Sequence, residues 1–508
     1  MPLTLLAAAV LLLAVLPTIA TPGPSAPWDQ YCGINAGAAI PPLNAQQSSF
    51  TVIQVHAFIR HGERMRATPG DCWAGDNTTT YSCDLMPVRH AWPVADIPVP
   101  VNWAITNLRG GMGPEPKTYK LPGNCTLGQL TEPGRQMQLN NGAALRAAYV
   151  GADAYVGSLL PASYSGIADL ENDVFLRSDD GERTMLSGQA LASALLAPPG
   201  AARPRDPLPW NTYPEHNDTM NPGTACPRFN VEQGKVLNSK AWGGFVGGKA
   251  ATALWGAMPG ALWPHGGGTV KDWSLPFDCA WSHWCPTRDQ PALRDAIPAA
   301  LLAPGPVPGN GANGLSGSLF DRLNWPAVVI LQSTLMHCHS AQHTCLTGQR
   351  VALPIHVRFQ GKIFGFLASS KPSNDTLMVR YGAGPLMGDV LAAMSAAAAG
   401  DAAAKKFVLV SGHDTGPINP VLGALDVMPS DPYEPPPFAA MIVMELLERS
   451  AGAGGGLFVR VMYQGEVMRV PWAGVCGATA PGGDWLCEYE GFAKRVAAMV
   501  PTAAECTA

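Results

Sequence analysis

The sequence predicts an α/β protein, with a mostly parallel central sheet flanked by helices and a helical or irregular cap formed mainly by a middle insertion. Three observations predict it. Short apolar runs rich in β-branched residues alternate with segments of helical periodicity. Several of these runs stop abruptly on charged residues, as strands do when they feed a site at a sheet edge. A Gly/Pro-rich, Trp-bearing stretch without clear periodicity, from about residue 196 to 317, separates the two alternating halves, and so long an irregular segment reads as an elaboration on a core. A chain of 508 residues is long enough for a large core with an insertion.

In chain order, residues 1–20 (MPLTLLAAAVLLLAVLPTIA) are apolar and uncharged. The run from Leu3 to Val15 has signal-peptide length, Pro17 interrupts it, and Thr18 and Ala20 are small enough for a cleavage site. No Lys or Arg precedes the run, so a membrane anchor is the alternative, and the membrane is a partner only if this segment stays uncleaved. Residues 21–49 are an entry segment rich in Pro, Ala and Gly. Residues 50–195 and 350–508 are expected to form the core, with 196–349 as the insertion, in which 305–318 (GPVPGNGANGLSGS) is a loop on composition.

Within the core, SFTVIQVHAFI (49–59) predicts a strand. LTEPGRQMQLNNGAALRAAYV (130–150) predicts a helix with Thr131 as N-cap and Pro133 in the first turn. DVFL (173–176) is a short buried strand, followed by the helical pattern TMLSGQALASALL (184–196). KKFVLV (405–410) is another strand, and AAMIVMELLE (439–448) with LFVRVMYQGEVMRV (457–470) predicts a late hairpin.

The apolar fraction of 47% against 14% charged residues excludes a disordered chain. A net charge of −5 and the lack of any basic run argue against a nucleic-acid partner. Twelve cysteines, all beyond the leader, and N-x-S/T sites at Asn77, Asn124, Asn217 and Asn374 point to the secretory pathway, where the chain would be secreted, lysosomal or vacuolar, or in the Golgi lumen. Cys338–Cys345, Cys279–Cys285 and Cys476–Cys487 are local disulfide candidates, although spacing alone does not fix connectivity. In an exported chain MHCHSAQHTC (336–345) is expected to carry such a disulfide instead of a zinc site. HGGG (265–268) has no partner GxSxG, and GGMG (110–113) is no complete dinucleotide fingerprint, so neither is assigned chemistry.

Three strand ends carry complementary polar groups. The first ends in Arg60-His61-Gly62-Glu63-Arg64, the second in Arg177-Ser178-Asp179, and the third in Ser411-Gly412-His413-Asp414. If these strands are neighbours, the groups converge beyond the carboxyl edge of the sheet, where open α/β sheets bind ligands. Guanidinium groups grip phosphate oxygens, neutral imidazole can attack phosphorus, and a protonated carboxyl can supply the leaving group with its proton.

RHGERMR resembles the RHGxRxP signature of the histidine acid phosphatases (branch 2 histidine phosphatases), and SGHDT resembles their HD signature. FLRSDDGERTMLSG resembles the segment that carries the family's third phosphate-binding arginine, and residues 130–150 resemble its LTxxG helix. The resemblance implies an acid phosphatase that hydrolyses phosphate monoesters through a phosphohistidine, with no cofactor or metal. It implies His61 as nucleophile, Asp414 as proton donor, and Arg60, Arg64, Arg177 and His413 as phosphate-binding residues. Arg66 stands where the signature has proline and would add a cation near the entrance. NCTLGQLTEPG, STLMHCHSAQHTC and FVRVMYQGEVMRV most resemble the branch that acts on 2-phosphoxylose, implying a small phosphomonoester or phosphorylated saccharide as partner. The alternatives are a phytase or inositol-phosphate phosphatase, and a non-catalytic phosphate-binding secretory protein.

Overall fold

A computed structural model describes residues 31–33, 35–43, 49–67, 71–73, 76, 79–83, 103–107, 121–196, 208–213, 218–238, 278–279, 282–288, 376–427, 436–477 and 486–507. The leader, the HGGG, GGMG and 305–318 segments, the 336–345 cluster with Cys338 and Cys345, and the sequons at Asn77, Asn217 and Asn374 lie outside the described residues.

The elements are β1 (Phe50–Arg60), β2 (Trp103–Asn107), α1 (Glu132–Tyr149), α2 (Ile167–Asp173), β3 (Val174–Asp179), α3 (Glu182–Leu196), β4 (Leu208–Tyr213), α4 (Arg228–Leu237), α5 (Thr376–Gly382) and α6 (Gly384–Ala398). After them come β5 (Phe407–Gly412), α7 (Ile418–Ala424), β6 (Met441–Arg449), β7 (Leu457–Tyr463), β8 (Glu466–Val467), β9 (Leu486–Glu488), α8 (Tyr489–Met499) and α9 (Ala503–Thr507). One sheet takes the order β2-β4-β3-β5-β1-β6-β7-β8, with β9 also on β7. From β2 through β1 every pairing is parallel, and β6 to β9 add an antiparallel flank.

The parallel strands are covered on both faces, which is why their sequences read as short apolar runs instead of strict alternations. On one face Val55, Ala57 and Ile59 pack with Leu145, Leu191 and Trp210, below α1 and α3. On the other, Phe58, Val408 and Val410 pack with Met387, Val390 and Phe492, below α6 and α8. Thr131 caps α1 by accepting from the Gly134 N–H at 3.2 Å, with Pro133 in the first turn, as its sequence predicts.

Two local outcomes differ from the sequence reading. The run 457–470 is not one strand, because Gln464 and Gly465 both adopt positive φ and turn the chain back into β8. That is the backbone a two-residue hairpin requires. Residues 208–213, inside the stretch expected to form the cap, pair with β3 and β2 as a strand of the sheet.

An ion pair holds the antiparallel flank from within. Glu445 of β6 faces Arg460 of β7, accepts two hydrogen bonds from it at 2.6 and 2.9 Å, and accepts a third from the Tyr149 hydroxyl at 2.6 Å. Both charged side chains are fully buried. Replacing Glu445 with leucine would strand the guanidinium, so we expect a loss of about 3 kcal/mol, read as a lower denaturation midpoint. The double replacement Glu445→Leu with Arg460→Met should recover most of it.

Five disulfides join Cys32–Cys285, Cys72–Cys279, Cys83–Cys125, Cys226–Cys506 and Cys476–Cys487 among the described residues. Cys476–Cys487 is the local pair the sequence suggested. Cys279–Cys285 is not formed: each of the two reaches back more than two hundred residues instead, bolting segment 278–288 to the N-terminal part. Such a disulfide set fits an extracellular or secretory-type protein. No helix of the described residues is long and apolar enough to cross a membrane.

Candidate active site

β3, β5 and β1 lie side by side and parallel, with Arg60 opposite Gly412 and Ser178 opposite Ser411. Their carboxyl ends therefore open onto one crevice, as the sequence suggested. Beyond β1 the chain turns sharply under α1. A Cβ on Gly62 would lie 2.1 Å from the Gly134 carbonyl oxygen, and one on Gly134 would lie 2.2 Å from the Glu63 oxygen. Only glycine at both places lets the loop and the helix start touch backbone to backbone. Thr131 completes the joint: its N–H donates to the Glu63 carbonyl at 2.9 Å and its hydroxyl to the Glu63 carboxylate at 2.9 Å.

His61 is 2% exposed, and its backbone N–H donates to Gly412 O at 2.8 Å, locking it to β5. Its Nδ1 lies 2.8 Å from the Gly62 carbonyl, which can only accept, so Nδ1 carries the hydrogen and Nε2 keeps the lone pair. Burial, followed by the charges of Arg183 and Arg60, holds the His61 imidazole well below its ordinary value. Both causes favour the neutral ring over the charged one.

Cations surround it. Arg60 donates to Pro436 O at 2.5 Å and to the Tyr31 hydroxyl at 2.8 Å, between the Tyr31 and Phe438 rings. Its Nη2 lies 3.4 Å from Asp414 Oδ2. Arg64 donates through Nη1 to Asp278 at 2.6 Å and to Met65 O at 2.9 Å. His413 stands edge-on to His61, with ring centroids 5.2 Å apart. Its Nε2 is 2.8 Å from Asp179 Oδ2 and its Nδ1 is 3.4 Å from Arg183 Nη2. Asp414, partly exposed, accepts from the Thr415 N–H at 3.0 Å.

Of the six residues predicted for the site, the structure gathers Arg60, His61, Arg64, His413 and Asp414. Arg177 is not with them. It donates to Asp218 at 2.6 Å, approaches Thr219 at 3.3 Å and Asp389 at 3.5 Å, and lies over the Tyr213 ring. Arg177 sits two residues before the end of β3, about 6–7 Å short of the crevice on a strand's rise. Arg183, in the first turn of α3, stands in the crevice in its place. Burial, together with Arg64 opposite, lowers its guanidinium to about 10, which leaves it charged.

The sequence reading placed Asp179 at the second strand end but gave it no role. Burial acts to raise its carboxyl, yet His413, Thr184 and Arg183 together hold it at about 2. It is therefore an ionised anchor for His413. Arg66 corrects another expectation: it is buried and lies 3.4 Å from Asp76, so it adds no cation at an entrance. Asp76, Cys72 and His283 come close enough together to suggest a metal site, but the Cys72 sulfur is spent in a disulfide. Finally, Arg60, Arg64 and Arg183 each keep a buried Nε with no hydrogen-bond partner among the described residues. The same holds of Arg177 and Arg449 elsewhere, so it is the gathering of three arginines around one imidazole, not the unpaired Nε itself, that suits an anionic ligand.

A mostly parallel α/β sheet with such a crevice defines a class of ligand-binding and catalytic proteins. Residues 51–243 match the family model of the histidine phosphatase superfamily (branch 2), in line with the resemblance read from the sequence. Counting factor 60 of Dictyostelium discoideum is 30% identical over 229 residues, 42% of this chain and 49% of that protein. The matched region thus spans about half the length of this curated relative. Among solved structures, Hafnia alvei phytase in its apo form is similar at 14% identity and a TM-score of 0.43, over 90% of this chain and 98% of that one. Bifidobacterium longum multiple inositol polyphosphate phosphatase, in complex with inositol hexasulfate, is similar at 13% identity and a TM-score of 0.40, over 92% and 97%.

Proposed function

We propose that the chain is an acid phosphatase that hydrolyses phosphate monoesters through a phosphohistidine on His61. The observation that carries this reading is the setting of His61: Nδ1 lies 2.8 Å from Gly62 O, which leaves Nε2 its lone pair, and the charges of Arg183, Arg60 and Arg64 act on the ring. The Arg60, Arg64 and Arg183 guanidinium groups and His413 grip the phosphoryl oxygens and stabilise the charge that spreads over them. His61 Nε2 attacks phosphorus, the bond from phosphorus to the ester oxygen breaks, and the departing oxygen takes the proton of Asp414. Asp414, now a carboxylate, accepts a proton from water as that water breaks the N–P bond and releases phosphate. Its position 3.4 Å from Arg60 puts it at the edge of the cradle, and its partial exposure lets it exchange protons with solvent.

The substrate in this reading is a small phosphomonoester, with a 2-phosphoxylose-terminated saccharide as the particular candidate. NCTLGQLTEPG and FVRVMYQGEVMRV support it by resemblance. The work place is an oxidising lumen or the cell exterior. Hydrolysis of such a saccharide set against hydrolysis of inositol polyphosphates separates the two substrate classes.

The reaction class is tested by phosphate release from an aryl phosphate across roughly pH 4 to 8. His61 is held low, which favours the neutral nucleophile, and the acid role of Asp414 requires its carboxyl to carry a proton when the leaving group departs. Turnover is expected to be greatest in acid and to fall toward neutrality. A rate that climbs above neutrality takes the acid role from Asp414. A folded protein that binds phosphate but releases none from esters is a binding protein.

A further inference from the structure

Among the described residues, the middle of the chain reaches Arg64 through Asp278. Asp278 arrives from more than two hundred residues away and spans the segment that follows β1: Oδ1 accepts from Arg64 Nη1 at 2.6 Å, and Oδ2 accepts from the Ala67 N–H at 2.8 Å. It is also close enough to Arg183 to favour that residue's charge. The manner of contact matters. A carboxylate usually takes an arginine by two parallel donors, using up the fork that would otherwise hold a ligand. Here Asp278 and the Met65 carbonyl both use Nη1. The Nε–Nη2 edge is not the one they engage, and Nε is buried with no hydrogen-bond partner among the described residues.

Asp278 is itself held from outside the site. The next residue, Cys279, is bonded to Cys72, a few residues beyond Ala67. At the other end of the same short segment Cys285 is bonded to Cys32, whose neighbour Tyr31 accepts from Arg60. Two covalent ties therefore anchor the segment that begins at Asp278, the nearer of them on the very next residue. Free rotation about four side-chain bonds is what an unbraced arginine would have to give up each time phosphate bound.

We propose that Asp278 is a positioning residue that holds Arg64 end-on, with its Nε–Nη2 edge presented to phosphate, and that the Cys72–Cys279 disulfide keeps Asp278 there. This rests on the phosphate-binding reading above. It extends that reading to the middle segment, whose attachment becomes part of the cradle.

The test compares wild type, Asp278→Ala, Asp278→Asn and the pair Cys72→Ser with Cys279→Ser. The readouts are the kinetics of aryl phosphate hydrolysis, calorimetric binding of inorganic phosphate, and thermal midpoints. Asp278→Ala should raise KM and the phosphate dissociation constant about tenfold, the scale of one charge-assisted hydrogen bond, with kcat changed less than about threefold. Asparagine, which keeps an acceptor for Ala67 and a nearly identical shape, should recover part of the affinity. In the disulfide-free background Asp278→Ala should cost less than it does in wild type, because the carboxylate is already loosened. Unchanged phosphate binding in Asp278→Ala overturns the proposal, and so does a lower thermal midpoint with the KM and dissociation constant intact. Because calorimetry reads binding directly, a protein that hydrolyses nothing would sink the phosphatase reading while this comparison still decides the role of Asp278.

Discussion

Replacing His61 with alanine is expected to lower phosphate release by roughly 10⁴-fold or more, the scale seen when a nucleophile is removed and the rest of the site is kept. Phosphate binding should change by only a few-fold, since the arginines remain. The variant is a fair test because the local fold does not depend on the ring. The backbone N–H of residue 61 still donates to Gly412 O, and its carbonyl still accepts from the Ala439 N–H. Among the described residues the ring's short hydrogen bond is to its own neighbour, Gly62. A thermal midpoint close to wild type should accompany the loss. Quenching in base, where a phosphorus–nitrogen bond survives, should trap label from the substrate on wild type and none on the variant. Equal turnover in the two proteins would mean that another group attacks.

How much of this could be read from the chain follows from where each residue sits relative to the sheet. Arg60 ends a strand whose apolar pattern is plain, His61 and Arg64 follow it, and His413 and Asp414 follow another, so a strand-end argument finds both. Thr131 and Pro133 mark a helix start by chemistry that is local in sequence. Asp278 and Tyr31 are another matter. Nothing near either residue signals a site, and what brings them to Arg64 and Arg60 is a pair of disulfides whose partners lie 207 and 253 residues apart. Spacing suggested the local pair Cys279–Cys285 instead, because sequence shows proximity along the chain and not in space. β2 and β4 escaped for a related reason. Short strands carry few residues of pattern, and LPWNTY becomes legible only once β3 is there to pair with it.

The arginine of the second strand end gives the sharpest contrast. Arg183→Ala is expected to lower kcat/KM by about 10²- to 10³-fold, the usual cost of losing one preorganised donor to a developing charge. It should also alter the setting of His413, whose Nδ1 faces the Arg183 guanidinium at 3.4 Å. Arg177→Ala should act on the fold instead. The substitution leaves Asp218 buried without the cation that it now meets at 2.6 Å, so about 3 kcal/mol of stability is at stake. Burial already pushes the Asp218 carboxyl up to about 6 against the pull of Arg177, so without that cation it can take up a proton and limit the damage. Whatever Arg177 does for turnover then passes through packing. Asp218 accepts from the Met220 N–H at 2.8 Å, and Gly416, in the loop that follows His413, packs tightly against the Met220 carbonyl. Measured on folded protein, that indirect route should leave kcat/KM within about tenfold of wild type. An Arg177→Ala variant that folds normally yet is inactive, beside an active Arg183→Ala, would return the third phosphate contact to the strand and take it from the helix.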